Sequence, residues 1–444
     1  MSFPRYPEYK DSGVEWLGEV PAHWAIPKLK HVANIRNGRD YKEVETEDDN
    51  GYPVIGSGGQ FSRATGYLYS GESVLLGRKG TIDRPLYING SFWTVDTMFY
   101  TELAAGIDGR FLFYYATTFP FGLYSTNTAL PSMAQEDLAN LNIAVPKVQE
   151  QRQIAAFLGH ETGKIDALIE EQRRLIELLK EKRQAVISHA VTKGLDPNVP
   201  MKDSGVEWLG EVPVHWELWK VSHAFRGIGS GTTPPSNQTQ WYEEGTVPWV
   251  TTSELRESSI VDTKKRITER ALSEFSSLQM HPPGSLVIAM YGATIGRLGF
   301  LNVAATTNQA CCVLSRPEAV EPAFAFYWFL AFKDVVIRLY ASGGGQPNIN
   351  QETIAALRVA APSRQEQQSI AQFLHQNLAG IDALIEEAQS AISLFQERRS
   401  ALISSAVTGK IDVRGWQAGV ESDEPELAMV AEEPAGYSAQ GGAA

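Results

Sequence analysis

Two patterns of apolar positions alternate along the chain. From Trp24 to about Pro146, and again from Trp216 to about Pro362, short apolar runs are broken by Gly, Pro, Asn and Ser. Examples are SVLLGRKG from Ser73, PLYING from Pro85, SLVIAMYG from Ser285 and GRLGFLNV from Gly296. Runs of this length bounded by turn residues predict strands and tight connections. FLFYYA from Phe111 and FAFYWFLAF from Phe324 read as helical interruptions. After each proline the period lengthens. With Ile165 at heptad position a, Gln172, Leu179 and Val186 recur at a, Leu168, Leu175 and Lys182 fall at d, and Ile169, Ile176 and Arg183 at e. The second segment places Ile381, Ala388, Phe395 and Leu402 at a, Leu384, Ala391 and Arg398 at d, and Ile385, Ile392 and Arg399 at e. Helices from about Ile165 to Ala190 and Ile381 to Ala406 follow, each roughly 40 Å long. Pairing the two stripes as an antiparallel coiled coil is the simplest way to bury both. The alternative is that each helix docks on its own globular domain.

The two patterns form one unit written twice. KDSGVEWLGEVPAHW (Lys10 to Trp24) returns as KDSGVEWLGEVPVHW (Lys202 to Trp216), changed only at Ala22 against Val214. QRQIAAFLGHETGKIDALIEE from Gln151 returns as QQSIAQFLHQNLAGIDALIEE from Gln367, and EKRQAVISHAVTKGLD as ERRSALISSAVTGKID. The second copy is longer between its motif and its helix. A repeat of about 200 residues is a duplicated domain, too long for a solenoid. The expected class is α+β, two mixed β-rich domains separated by two long helices with a pseudo-two-fold internal repeat. The expected spans are 1–146, a helical spacer 147–196, 197–362, a second spacer 363–416 and an acidic tail 417–444.

Composition narrows the chemistry. The chain has 444 residues, 43% of them hydrophobic, and a formal net charge of -13. The tail holds Glu421, Asp423, Glu424, Glu426, Glu432 and Glu433 without a Lys or Arg, yet the body remains acidic. A protein gripping DNA alone by neutralising phosphates would be basic. Either basic groups gather on one face or partners supply the backbone contacts. Cys311 and Cys312 are the only cysteines, which excludes a disulfide framework and a paired-Cys zinc site. No apolar run approaches a membrane span, and a cytoplasmic location is expected. The methyltransferase N-P-P-[YFW] motif and the G-x-x-x-x-G-K-[ST] phosphate loop are both missing. His31 and His223 correspond between the copies and read as packing residues.

The opening SGVEWLGEVPAHW, the closing QEQRQIAAFL, the helix start KIDALIEEQ and the end AVTKGLD, all repeated downstream, resemble type I restriction-modification specificity subunits over essentially everything up to Trp416. The resemblance implies a non-catalytic subunit with two target recognition domains. Each would read half of a split double-stranded DNA site, with the helices as a ruler. It implies two adenine methyltransferase (modification) subunits and translocating endonuclease (restriction) subunits as partners. S-adenosylmethionine, ATP and Mg would then reside on those partners and no cofactor on this chain. Rival classes are a structural adaptor with a duplicated protein-binding module and a self-sufficient DNA enzyme.

Candidate contacts come from internal alignment. GESVLLGRKGTIDR from Gly71 set beside GSLVIAMYGATIGR from Gly284 shares an apolar strand, a glycine turn, Thr-Ile and then Arg. Arg pairs with guanine O6 and N7 or with phosphate. The candidates are Arg78, Lys79, Thr81 and Arg84 in the first copy and Tyr291, Thr294 and Arg297 in the second; the bland alternative is a strand with Arg on a solvated edge. Lys264, Lys265 and Arg266 form a basic cluster that suits phosphate or is a solvated face. The loops 125–132 and 342–348 align around a proline, and Gln346 or Asn348 suits adenine, unless the loops merely connect elements.

Overall fold

Ser73, Val74, Leu75, Leu76 and Gly77 are all buried in strand Tyr69–Gly77, and their side chains separate by parity. Val74 and Leu76 join one apolar cluster, while Leu75 joins another with Ile55, Phe92 and Met98 on the opposite face. Strand Leu286–Ala289 divides in the same way, Leu286 and Ile288 to one core and Val287 and Ala289 to the other. A sheet covered on both faces explains why these strands read as unbroken apolar runs and not as an alternation. The computed structural model describes residues 3–125, 131–342 and 347–418. Gln346 and the expected tail from residue 419 onward lie outside the described residues.

The chain divides into two compact units, 1–170 with 392–444 and 171–391. The expected spans run linearly, whereas each unit holds one β-rich domain and a part of both long helices. In the first unit, strand Tyr69–Gly77 pairs antiparallel with Leu86–Thr94 and with Met98–Leu103, which pairs with Ala33–Asn37. Tyr52–Gly56 adds parallel to Leu86–Thr94 and leads to two further strands, making seven. In the second unit, Leu286–Ala289 lies between Leu298–Leu301 and Cys311–Pro317, which pairs with Phe225–Ser230. Five strands form that sheet, and Val247–Val250 centres a separate three-stranded one. Cys311 and Cys312 sit mid-sheet, and burial pushes the Cys312 thiol up to about 12.

Helix Gly109–Ala116 is capped by Asp108, whose carboxylate accepts from Phe111 N at 2.9 Å. Its counterpart is Pro322–Tyr340, with proline in the first turn. The long helices run over Val148–Lys193 and Arg364–Val407, starting well before the expected Ile165 and Ile381. The added turns carry Ile154, Phe157 and Leu158 in one unit and Ile370 and Leu374 in the other, all buried against the β-rich domains. Of the two expected modes of burial, domain docking occurs at the start of each helix.

Within each unit the two helical segments run antiparallel. Gln153 Nε2 donates to Trp416 O, and further along Arg399 Nε donates to Asp166 Oδ1 at 2.8 Å. The second unit repeats the ion pair with Arg183 Nε and Asp382 Oδ1 at 2.8 Å. The seam differs from the expected one. Positions a and e are covered, as at Ile165, Ile169, Ile176 and Leu179, but the d leucines Leu168, Leu175 and Leu384 are 41%, 42% and 50% exposed. The a/d/e pattern therefore takes in leucines that stand exposed as well as covered positions.

The conserved spelling of the two copies has a physical use. In the first unit Glu150 accepts from Trp24 Nε1 at 3.1 Å and lies 2.9 Å from His23 Nε2. In the second, Glu366 holds Trp216 and His215 at the same distances. The next residue clamps the backbone. Gln151 Nε2 donates to Gly106 O and Pro146 O, and its Oε1 accepts from Asp108 N. Gln367 makes the same three bonds to Ala319 O, Pro362 O and Glu321 N.

Candidate nucleic-acid interface

Strand Tyr69–Gly77 ends because Gly77 lies against the returning loop, where a Cβ would sit 2.3 Å from Thr81 O. The chain then turns through Gly80, whose φ of 82° suits glycine. Arg78 N and Lys79 N donate to Thr97 O, Gly80 N to Pro131 O, and Met133 N to Arg78 O. The glycine turn and the polar loop, found separately in the sequence, are thus one construction. The second unit builds it again, with Gly292 N donating to Pro347 O and Ile349 N to Met290 O. Bridges Lys79 with Ser132 and Tyr291 with Asn348 complete the match.

These bonds correct the sequence alignment by one residue. Gly80 is matched by Gly292, each with positive φ, and Lys79 by Tyr291; the sequence pairing put Arg78 against Tyr291. The 3-10 turn Gly292–Thr294 absorbs one additional residue before the shared Thr-Ile. Maximising the Thr-Ile-x-Arg identity carried the downstream register upstream across that insertion.

The candidate side chains differ in what they can reach. Thr81, Arg84, Lys79 and Arg297 are exposed. Arg78 is partly committed, because Nη1 donates to Asp96 O at 3.2 Å and the guanidinium lies over Phe99. Tyr291 gives its hydroxyl to Gln309 O, and the Thr294 hydroxyl is engaged with Tyr291 O. Asn348 is exposed, its backbone exchanging two bonds with Ser342. Lys264, Lys265 and Arg266 lie at the separate small sheet and not on this construction. Arg266 is paired with Asp262 at 2.5 Å and with Thr246 O, so the cluster presents less free charge than its sequence suggests.

One further loop in each unit adds to this edge, which forms a strip with the turn and the polar loop. Gly38 N donates to Met98 O and Arg39 N to Thr94 O, and a Cβ on Gly38 would lie 2.0 Å from Val95 O. Trp93 Nε1 donates to Arg39 O at 3.0 Å. In the second unit Gly231 N donates to Thr307 Oγ1, a Cβ there would lie 1.7 Å from Thr307 O, and Trp249 Nε1 donates to Thr232 O. Sequence reasoning missed Arg39 and Thr232; Gly38 and Gly231, tight against a neighbouring backbone, were the available signal. His31 and His223, expected to pack, are exposed on short helical turns whose buried members are Leu29 in the first and Val221 and Ala224 in the second.

Comparison with known proteins follows the same division. A family described as the type I restriction modification DNA specificity domain matches residues 21–178 and 213–393, more than half of the chain. The MjaVIII specificity subunit of a type I restriction enzyme from Methanocaldococcus jannaschii is 23% identical over 418 residues, 89% of this chain and 94% of that one. The Escherichia coli EcoBI specificity subunit is 20% identical over 453 residues, covering 95% and 92%. With the MjaX specificity subunit of M. jannaschii identity is 25% over 288 residues, 64% of this chain and 62% of that relative. A solved chain from work on assembly and conformational transition of the type I R-M system shares the fold with a TM-score of 0.68 at 14% identity, covering 87% of this chain and 98% of that one.

Proposed function

The chain belongs to the type I restriction modification DNA specificity family, and on that premise we propose that its two β-rich domains each read one half of a split duplex target. The observation that carries this reading is one scaffold built twice with unlike side chains at its edge. The first strip offers Arg39, Arg78, Lys79 and Arg84, the second Thr232, Tyr291, Asn348 and Arg297. Equivalent frames with different chemistry suit two different half-sites, since phosphate contacts position while base edges specify. The chain is acidic overall, with a formal net charge of -13, so partner subunits would supply most of the phosphate energy.

Those partners would be two adenine methyltransferase subunits, with restriction subunits joined to them and the cofactors S-adenosylmethionine, ATP and Mg held there. The exposed leucines support helical docking surfaces, Leu168 and Leu394 in the first unit and Leu175, Leu178 and Leu384 in the second. The helices would set the gap between the half-sites. Adding a heptad after Glu171 and another after Glu387 lengthens each helix by about 10 Å, equivalent to about three base pairs. Sequencing of methylated adenines in cells with the partner subunits is expected to show unchanged halves and a wider gap. A changed half with an unchanged gap refutes the ruler.

A further inference from the structure

We infer that Arg39 and Thr232 occupy one equivalent base-reading position in the two domains, and that Arg39 reads a guanine in the half-site of the first. The inference rests on the reading of the strips as DNA-facing and deepens it by naming a residue and its base. The backbone at this position is held in two ways in each unit. A glycine presses against the neighbouring strand end, Gly38 on Thr94 and Val95 or Gly231 on Thr307. An indole then donates to the following carbonyl, Trp93 to Arg39 O and Trp249 to Thr232 O. Those tryptophans come from non-equivalent strands, Leu86–Thr94 and Val247–Val250. The same hold on one carbonyl is therefore reached by two routes, as expected where the position of the side chain matters.

What the socket presents differs. Arg39 is exposed, and among the described residues its guanidinium has no hydrogen-bond or ion-pair partner, unlike Arg36, which is bonded to Glu102 at 3.2 Å. Its surroundings favour a base over a phosphate. Phe61, 55% exposed, covers Gly56 beside Val95 and meets Tyr41 edge to face at 5.2 Å. An aromatic pair of exposed Phe61 with Tyr41, two residues along from a free guanidinium, suits a base-pair edge, where Arg takes guanine O6 and N7 together and an aromatic ring can meet a thymine methyl. Thr232 offers a single short hydroxyl and lacks that bidentate reach.

The test uses the full complex with its modification subunits, reading adenine methylation across a genome. Wild-type protein is expected to give a split motif with a guanine in one half. Arg39→Ala and Arg39→Lys are both expected to relax that guanine alone, with a loss at the consensus site of about 10- to 100-fold, while the other half and the gap stay unchanged. Arg39→Lys keeps the charge and loses the fork, so an unchanged motif in this variant, or a uniform loss over all sites, marks a phosphate contact and overturns the inference. A motif with no G·C pair in either half overturns it as well. Should the variants fold poorly by thermal melting, wild-type complex on DNA carrying 7-deazaguanine at each half-site guanine decides. Weakened binding at one position of the first half supports the inference, and no weakening anywhere overturns it. A wild-type complex that methylates without any split motif defeats the functional reading itself, whatever Arg39 does.

Discussion

Replacing Gln367 by Leu keeps the approximate length of the side chain and removes the buried amide through which the start of the second long helix bonds main-chain groups of its β-rich domain. Gln367 is fully buried, and its amide bonds Glu321 N at 2.7 Å, Ala319 O at 2.9 Å and Pro362 O at 2.8 Å. A net hydrogen bond contributes about 0.5–1.5 kcal/mol, and a buried group left without a partner costs about 1–3 kcal/mol. Three strained losses of this kind, softened where water can reach Glu321, sum to about 3–5 kcal/mol. That is a large share of the roughly 5–15 kcal/mol that stabilises a domain. Urea unfolding followed by tryptophan fluorescence reads it as a fall in midpoint of about 2 M, for a slope of about 2 kcal/mol per molar. Gln365→Leu, two residues away and exposed, shifts stability by less than about 0.5 kcal/mol. Gln151→Leu acts in the same way on the first unit. A change below about 1 kcal/mol for Gln367→Leu refutes the clamp.

Other perturbations have equally definite outcomes. Gly231→Ala drives a Cβ to 1.7 Å from Thr307 O and is expected to cost about 2–4 kcal/mol in the second unit, with methylation losing its specificity at one half-site only; wild-type melting and an intact motif sink the close-packing argument. Arg399→Ala removes a pair with Asp166 that is 34% and 53% exposed, so chemical denaturation should register only about 0.3–1 kcal/mol, and a loss above about 2 kcal/mol would assign the pair a larger role. Burial, aided by Arg316, holds the His281 imidazole below its ordinary range. A group depressed in the folded state contributes its full stability above the unfolded value of about 6.5 and loses it as pH falls towards the folded value. The melting temperature of the second unit should therefore drop as pH falls below about 6.5, and His281→Gln should shrink that drop; an identical drop in the variant excludes His281 as its source.

How much of this was legible depends on the kind of pattern each element wrote. The duplication, the strand-rich interiors and the two long helices stood in the sequence because repetition and period survive without knowledge of contacts. Helix starts did not: Leu158 and Ile154 keep the a and d positions of the register that runs through Ile165, but the buried face there also takes in Phe157 at g, because these turns meet a domain. The stripe itself mixed two uses, and only burial separates covered Ile169 from exposed Leu168. At the candidate interface, local similarity singled out Arg78, Lys79 and Tyr291, but the one-residue insertion before Thr294 defeats any rigid offset. Arg39 and Thr232 share a socket closed by tryptophans from non-equivalent strands, so no alignment of the two copies brings those tryptophans together.

The clamp formed by Glu150 and Gln151, repeated by Glu366 and Gln367, draws on the duplicated motif, on the first turn of a long helix and on main-chain groups at the start of a shorter one. None of its bonds uses a side chain from the strip that would face DNA. Recombination between the near-identical repeats would therefore bring in an interior whose own main-chain groups meet the same clamp, as Ala319 and Glu321 do where the first copy has Gly106 and Asp108. Novelty in what is recognised becomes a matter of exchange as well as of gradual substitution.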